Sequence, residues 1–365
     1  MRIAITSDFH LGYQFDAPRG EDSFRQAEEA LQLASGADLI ILAGDIFDSR
    51  TPRQEVTARA LRMFEKIDTP IIAVWGTHER RIKEYVNPVQ VIEHAAFLKC
   101  LHCSASEHHI DGRSVKVYGM SGVPDRYAKV VLDKWNPKPD GDINILVIHQ
   151  SLKEYIYNPY EPAALELSDL PKGFDLVVCG HIHWSDLKTG KPHILCPGST
   201  IRTQLKSAET EPKRVWFYEP PEKFESVPLK TQREFFYKIL KFDGASPSEV
   251  VREAKEYIES ASKSGCLMKL KLTGSLCKGY SPSDVDVAQL HRAAAKGAFL
   301  SVSNELAGQK AKAEKREASQ RPIREQGIEL LESYLGEDPD EIFQLLLDGK
   351  LEDAGKRIVG ESFIS

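Results

Sequence analysis

Short apolar runs, each closing on a polar residue, recur through the first two thirds of the chain: RIAITSD, LIILAGD, IIAVWGTHE, VKVYGM, INILVIHQ, DLVVCGHIH and HILCPGS. Continuous runs of this length predict strands buried on both faces. Between several of them, 23–34 and 54–67 carry apolar residues at helical spacing, and Thr51 with Pro52 gives the second stretch a start signal. Strand and helix in alternation predict an α/β fold over residues 1–228. After KRVWFYEPPEKF the prolines mark a change of character. Residues 229–295 are expected to form a small α+β unit, with strands around FFYKILKF and CLMKLKLTG and a helix from Pro247 to Ser262. A charged linker is expected over 296–322, because LAGQKAKAEKREASQ has no apolar stripe. In 323–365, Ile328, Leu331 and Leu335, then Ile342, Leu345 and Leu346, then Leu351, Ala354 and Ile358 recur at helical spacing. Those faces need a partner to cover them. No internal repeat is present.

Composition narrows the function classes. With 365 residues, 41% hydrophobic and 28% charged, the chain has the mixture of a soluble globular protein of more than one domain. Its net charge of −6 supplies no global positive field, so contact with nucleic acid would have to come from local patches. No run approaches the roughly 18 apolar residues of a membrane span, and MRIAITSDFHLG runs straight into a strand, so a cytoplasmic protein is expected. Of six cysteines, Cys100 and Cys103 form one close pair without a second to complete a zinc site, and all six are expected to be reduced.

The chemistry concentrates where predicted strands end. Asp8 and His10 lie in SDFH, Asp45 in GDIFD, His78 in GTHE, His149 in VIHQ, and His181 with His183 in GHIH. Each motif alone is bland, since a strand-end His is more often structural than a ligand. Together they argue for one centre, because strand ends in an α/β sandwich converge on a single rim. Imidazole with carboxylate suits Mn²⁺, Fe²⁺ or Zn²⁺, and Mn²⁺ fits an oxygen-rich reacting group best. Alternate residues of an extended segment share a side, so Asp8 with His10, and His181 with His183, can each present two ligands. Gly44 and Gly180 leave room for close approach. Two cations about 3.5–4 Å apart would activate a water and clamp phosphate oxygens, with Asp45 placed to bridge them.

In order, D-x-H, G-D-x-x-D, G-x-H-E, a strand-end His and G-H-x-H resemble the motif series of calcineurin-like metallophosphoesterases over residues 1–228. Within that superfamily, SDFHLGY, GDIFDSR, PGST followed by Arg202, and VPLKTQREFFYKI leading to LKLTG resemble the meiotic recombination eleven nucleases (SbcD in bacteria), as far as about residue 275. The resemblance implies a two-sheet metallophosphoesterase sandwich flanked by helices, a small DNA-binding capping domain and a helical C-terminal tail. It implies two Mn²⁺ ions, with Mg²⁺ or another divalent metal as substitute. One would be held by Asp8, His10, Asp45 and His183, the other by Asp45, Thr77, His149 and His181. His78 becomes a general acid or transition-state stabiliser. The implied activity is single-strand endonuclease and 3′-to-5′ exonuclease on DNA ends in double-strand break repair. The implied partners are an SMC-like coiled-coil ATPase (SbcC-type), gripped by the C-terminal helices, and a second copy in a homodimer.

One position departs from the family pattern. Thr77 stands where the family has Asn, and a hydroxyl is a shorter, weaker ligand than an amide oxygen, so a weakened second site and weakened activity are expected. Glu79 replaces the more usual Asp, which merely lengthens a carboxylate. Candidate DNA contacts are Arg80, Arg81 and Lys83 after the histidine loop, Lys153, Tyr155 and Tyr157 after His149, and Arg202. Apolar spacing in 60–67 and 89–98 suits core, or failing that the dimer surface. Competing readings are a phosphodiesterase or phosphatase for other substrates, and a non-catalytic DNA-end tether.

Overall fold

The computed structural model of the protein describes residues 1–80, 86–155 and 163–308, with positions 341, 342, 344, 345 and 348. Arg81, Lys83, Tyr157, the expected linker beyond 308 and nearly all of the helical tail lie outside the described residues. The first unit runs β1 (Ile3–Thr6), α1 (Asp22–Ala34), β2 (Leu39–Leu42), α2 (Gln54–Phe64), β3 (Ile71–Ala73), α3 (Pro88–His94) and β4 (Lys99–Cys100). It continues through β5 (Ser104–Ile110), β6 (Arg113–Met120), α4 (Asp125–Trp135), β7 (Ile143–His149), β8 (Leu176–Gly180), β9 (Asp186–Lys188) and β10 (His193–Cys196). It closes with β11 (Arg214–Glu219) and β12 (Lys223–Pro228).

These strands make two six-stranded sheets, ordered β12-β11-β1-β2-β3-β4 and β5-β6-β7-β8-β10-β9. Strands β1 to β4 run parallel, as do β6, β7, β8 and β10, and antiparallel strands flank both sets except at the edge formed by β4. Alternation along each strand explains the sandwich. Ile3, Ile5, Leu39 and Ile41 face Val115, Val117, Ile143, Ile145, Val147 and Val178 in the core between the sheets. The intervening Ala4, Ile40 and Leu42 pack outward against Phe24, Leu31, Ala60 and Phe64 of α1 and α2, while Leu146 and Ile148 pack against Ala128 and Leu132 of α4. Both faces are therefore apolar, as the uninterrupted runs require. Ala60, Met63, Phe64, Val89, Ile92 and Leu98 all belong to the first helix-side core.

The second unit is β13 (Phe235–Ala245), α5 (Pro247–Ala261), β14 (Leu267–Leu276), α6 (Val287–Ala293) and β15 (Phe299–Ala307). Its three strands are parallel, in the order β13-β14-β15. Ser246 opens α5 with a capping box closed by Glu249, and Val250, Ala254 and Ile258 seat the helix on Met268, Leu270 and Leu272. The unit extends past the expected boundary at 295, and 299–307 is strand rather than linker. Leu300, Val302 and Leu306 supply an apolar face, but alternating Ser301, Ser303 and Glu305 conceal it in the sequence. Among the described residues, no helix is long and apolar enough to cross a membrane.

Candidate metal centre

Both sheets aim the carboxyl ends of their parallel strands at one rim. The loop after β1 is tied to the loop after β2 by Asp8 N–H donating to Gly44 O (2.9 Å) and His10 N–H donating to Asp45 O (2.9 Å). Asp8, His10, Asp45 and His181 all take left-handed backbone, with φ of 54°, 47°, 46° and 76°. Such conformations cost about 1–3 kcal/mol each and persist where the surroundings over-determine them, which is typical of functional sites. Packing shows how tight the rim is. A Cβ on Gly44 would meet His149 Nδ1 at 2.2 Å, and one on Gly180 would meet Ala43 O at 1.9 Å.

Asp8, His10 and His183 form one cluster of ligand atoms within 4.8 Å of one another, and Asp45, His149 and His181 form a second. Asp45 also falls with His10 and His78 in a third, so its carboxylate stands between the first two. Imidazole tautomers follow from the neighbours. His149 Nδ1 lies 2.7 Å from Ala43 O, an acceptor, so it carries the hydrogen and Nε2 faces Asp45 Oδ2 at 3.2 Å. His10 Nδ1 lies 3.1 Å from Asp48 Oδ1, and His183 Nδ1 lies 3.0 Å from Thr203 Oγ1. The Nε2 atoms of His10 and His183 are thereby turned toward each other, 3.2 Å apart. Oriented imidazoles backed by a carboxylate, a carbonyl and a hydroxyl are the outer shell that metal-binding histidines use.

The donor set fits a divalent cation. Asp8 Oδ1 is buried and lacks a hydrogen-bond partner, and equally buried His149 Nε2 has only the Asp45 carboxylate before it, an arrangement that is costly unless a cation completes it. Burial, then the charge on His149, lowers His181 to about 4, and burial with His10 holds His183 well below the usual imidazole range, leaving both rings neutral with lone pairs to give. Burial, reinforced by Asp45, lifts Asp8 to about 6. For His149 burial opposes the charge, yet the adjacent Asp45 carboxylate prevails and pushes it up to about 10. Burial opposes the charge of Asp45 too, but His149, His10 and His78 hold its carboxyl well below the usual range.

His78 is the most exposed of the group, with 44% of its side chain accessible. Its Nδ1 donates to Asp48 O (2.8 Å), leaving Nε2 unassigned at the mouth of the site. Its backbone N–H donates to Asp45 Oδ1 (2.9 Å), and Thr77 Oγ1 donates to Asp45 Oδ2 (3.3 Å). Three supporting residues escaped the sequence reading: Asp48, Thr203 and Lys213. Buried Lys213 Nζ donates to His183 O (2.7 Å), Ser199 Oγ (2.9 Å) and Glu209 Oε2 (2.8 Å), fixing the backbone that carries His183. The second Asp of GDIFD was the one signal available for any of them.

The expected DNA contacts separate. Arg80 is half-buried beside the histidine loop. Lys153 pairs with Glu166, and Tyr155 donates to Asp186 Oδ2 (2.9 Å) with its ring against the core. Arg202 is not at a surface. It is 4% exposed, and it donates to the carbonyls of Glu209, Glu211 and Arg233 at the junction of the two units. Its Nε, Nη1 and Nη2 each donate to one of these carbonyls, which ties the guanidinium into that junction.

A sandwich whose strand-end Asp and His residues form joined metal-type clusters defines a metallophosphoesterase. The sequence model of the Calcineurin-like phosphoesterase family matches residues 1–185, and the chain belongs to that family. Among relatives, it is similar to the DNA double-strand break repair protein Mre11 of Methanopyrus kandleri, at 30% identity over 203 residues, 50% of this chain and 44% of that protein. It is similar to the Mre11 protein of Archaeoglobus fulgidus at 30% over 234 residues, 57% of this chain and 52% of that one. The double-strand break repair protein MRE11 of Encephalitozoon cuniculi matches at 25% over 350 residues, 77% of this chain and 60% of that one. The chain spans about half the length of the first of these relatives.

Proposed function

We propose that this phosphoesterase is a Mn²⁺-dependent DNA nuclease, a single-strand endonuclease and 3′-to-5′ exonuclease that processes DNA ends in double-strand break repair. The reading rests on the pair of clusters sharing Asp45, since two adjoining cation sites suit phosphodiester hydrolysis. Similarity to double-strand break repair proteins supports DNA as the substrate. Asp8, His10, Asp45 and His183 would hold one ion, and Asp45, Thr77, His149 and His181 the other. When bound, the ions supply Lewis acidity to the phosphate oxygens. Asp48 keeps His10, and Ala43 O keeps His149, in the ligating tautomer, while Thr203 orients the ring of His183. His78, outermost and anchored through Nδ1, leaves Nε2 at the mouth of the site, where the imidazolium form would give a proton to the leaving oxygen. Arg80, Arg81, Lys83 and Lys153 would border the DNA track, and the C-terminal segment would engage an SMC-like coiled-coil ATPase in a homodimeric assembly.

The test is hydrolysis of single-stranded and hairpin DNA with Mn²⁺, with and without the ATPase. Metal-dependent cleavage abolished by His149→Ala is the expected result. A protein that retains DNA and metal but cleaves neither substrate would be a tether, and one that cleaves only small phosphoesters would serve other substrates.

A further inference from the structure

Glu79 follows the histidine of GTHE and is 0% exposed. One carboxylate oxygen accepts the backbone N–H of Phe47 at 2.5 Å, and the other accepts that of Gly76 at 2.7 Å. Phe47 lies two residues beyond Asp45, and Gly76 immediately precedes Thr77. Asn87 Nδ2 in turn donates to Glu79 O (2.7 Å), and the same Asn87 caps α3, so the clamp is anchored in regular structure.

We propose that Glu79 is a positioning residue: a buried carboxylate that staples the Asp45 loop to the Thr77–His78 loop and so sets the spacing of the shared metal ligand. The role rests on the metal-centre reading given above. The staple is the part of the contact between these loops that Asp45, Thr77 and His78 do not themselves supply. Beyond it they meet through Asp45 Oδ1 and His78 N–H, through the weaker Thr77 bond, and through His78 Nδ1 on Asp48 O. A Cβ on Gly76 would clash with both the backbone nitrogen and the carboxylate of Asp45, so the two loops are at their closest approach there and a small relaxation displaces Asp45 directly. A carboxylate suits this place because it offers an acceptor to each N–H at once. An amide offers one oxygen and turns an NH₂ toward the other donor. The side-chain length also has a purpose. Glu reaches both amides from a position where Asp, one methylene shorter, reaches one.

The experiment compares wild type, Glu79→Gln and Glu79→Asp for Mn²⁺ affinity by titration calorimetry, thermal stability without metal, and hydrolysis of bis(p-nitrophenyl) phosphate, a phosphodiester without a nucleobase. Outer-shell substitutions weaken metal binding or activity by about 10- to 100-fold. Glu79→Gln is expected to fall in that range for Mn²⁺ affinity and kcat, with KM for the diester little changed, and Glu79→Asp is expected to lie between it and wild type. Should the Gln variant not fold, the Asp variant carries the same comparison. Lower stability in the metal-free state with wild-type Mn²⁺ affinity and kcat would overturn the positioning role and leave Glu79 a fold residue only. Wild-type protein that takes up no Mn²⁺ would instead overturn the metal reading, and the positioning role with it.

Discussion

His10 and His183 present their Nε2 atoms to each other at 3.2 Å, while the other nitrogen of each ring is engaged, by Asp48 for His10 and by Thr203 for His183. Burial opposes a proton on His10, but Asp48, Asp45 and Asp8 prevail, so in the metal-free protein a hydrogen lies on that line, and a cation would take its place. Asp48 and Thr203 therefore act on affinity through orientation. Asp48→Asn and Thr203→Val should each lower Mn²⁺ affinity by about 10- to 100-fold without loss of fold. Calorimetric titration beside circular dichroism reads both. Wild-type affinity in both variants would mean that the rings hold their orientation unaided.

His78 should separate chemistry from binding. It is the outermost imidazole, and its anchoring bond is to a backbone carbonyl. His78→Ala is expected to keep its Mn²⁺ content while the rate of phosphodiester hydrolysis falls about 10²- to 10⁴-fold, the usual contribution of a proton-transfer group. Elemental analysis showing an ion lost from that variant would reassign His78 as a ligand.

Thr77→Asn is expected to raise Mn²⁺ affinity and nuclease rate together, because an amide oxygen reaches further than the hydroxyl that now bonds to Asp45. The gain should be largest at micromolar Mn²⁺ and vanish at millimolar concentration. Superimposable Mn²⁺ titrations for the two proteins would show that Thr77 imposes no weakness.

Acidity predicts how stability responds to metal. Folded His149 holds its proton up to about pH 10, whereas an unfolded histidine releases it near 6.5. The folded state thus binds more protons across that interval, and the stability it confers is full below pH 6.5 and declines as pH rises. Glu79, lifted to about 8 by burial and by Asp45 in the metal-free protein, acts in the same sense and would take its carboxylate form once a cation neutralises Asp45, while Lys213, lowered to about 8 by burial, acts oppositely above that pH. The metal-free protein should therefore lose thermal stability between pH 6.5 and 8, and saturating Mn²⁺ should flatten the profile by replacing the proton on His149. Parallel melting curves with and without Mn²⁺ across that range would contradict it.

The parts of this molecule legible in its sequence were those in which one residue type carries one cause. Runs such as LIILAG and INILVIH mark strands buried on both faces, and Asp or His at their ends marks the rim where Asp8, Asp45, His149 and His183 gather. What stayed hidden depends on distant partners. Thr203 is an ordinary loop threonine until β8 and β10 bring it to His183. Arg202 reads as a surface base until the second unit folds over it. Glu79 drew no weight, since nothing nearby announces that the amides of Phe47 and Gly76 converge on it. The strand at Phe299–Ala307 was hidden by its own polar face.

The most direct measurement is anomalous diffraction at the manganese edge from crystals grown with Mn²⁺. Two peaks are predicted on either side of Asp45, one within about 2.0–2.4 Å of donor atoms of Asp8, His10 and His183, the other equally close to His149 and His181. Absence of any peak at the rim, or peaks only at surface carboxylates away from Asp45, would contradict the two-metal account.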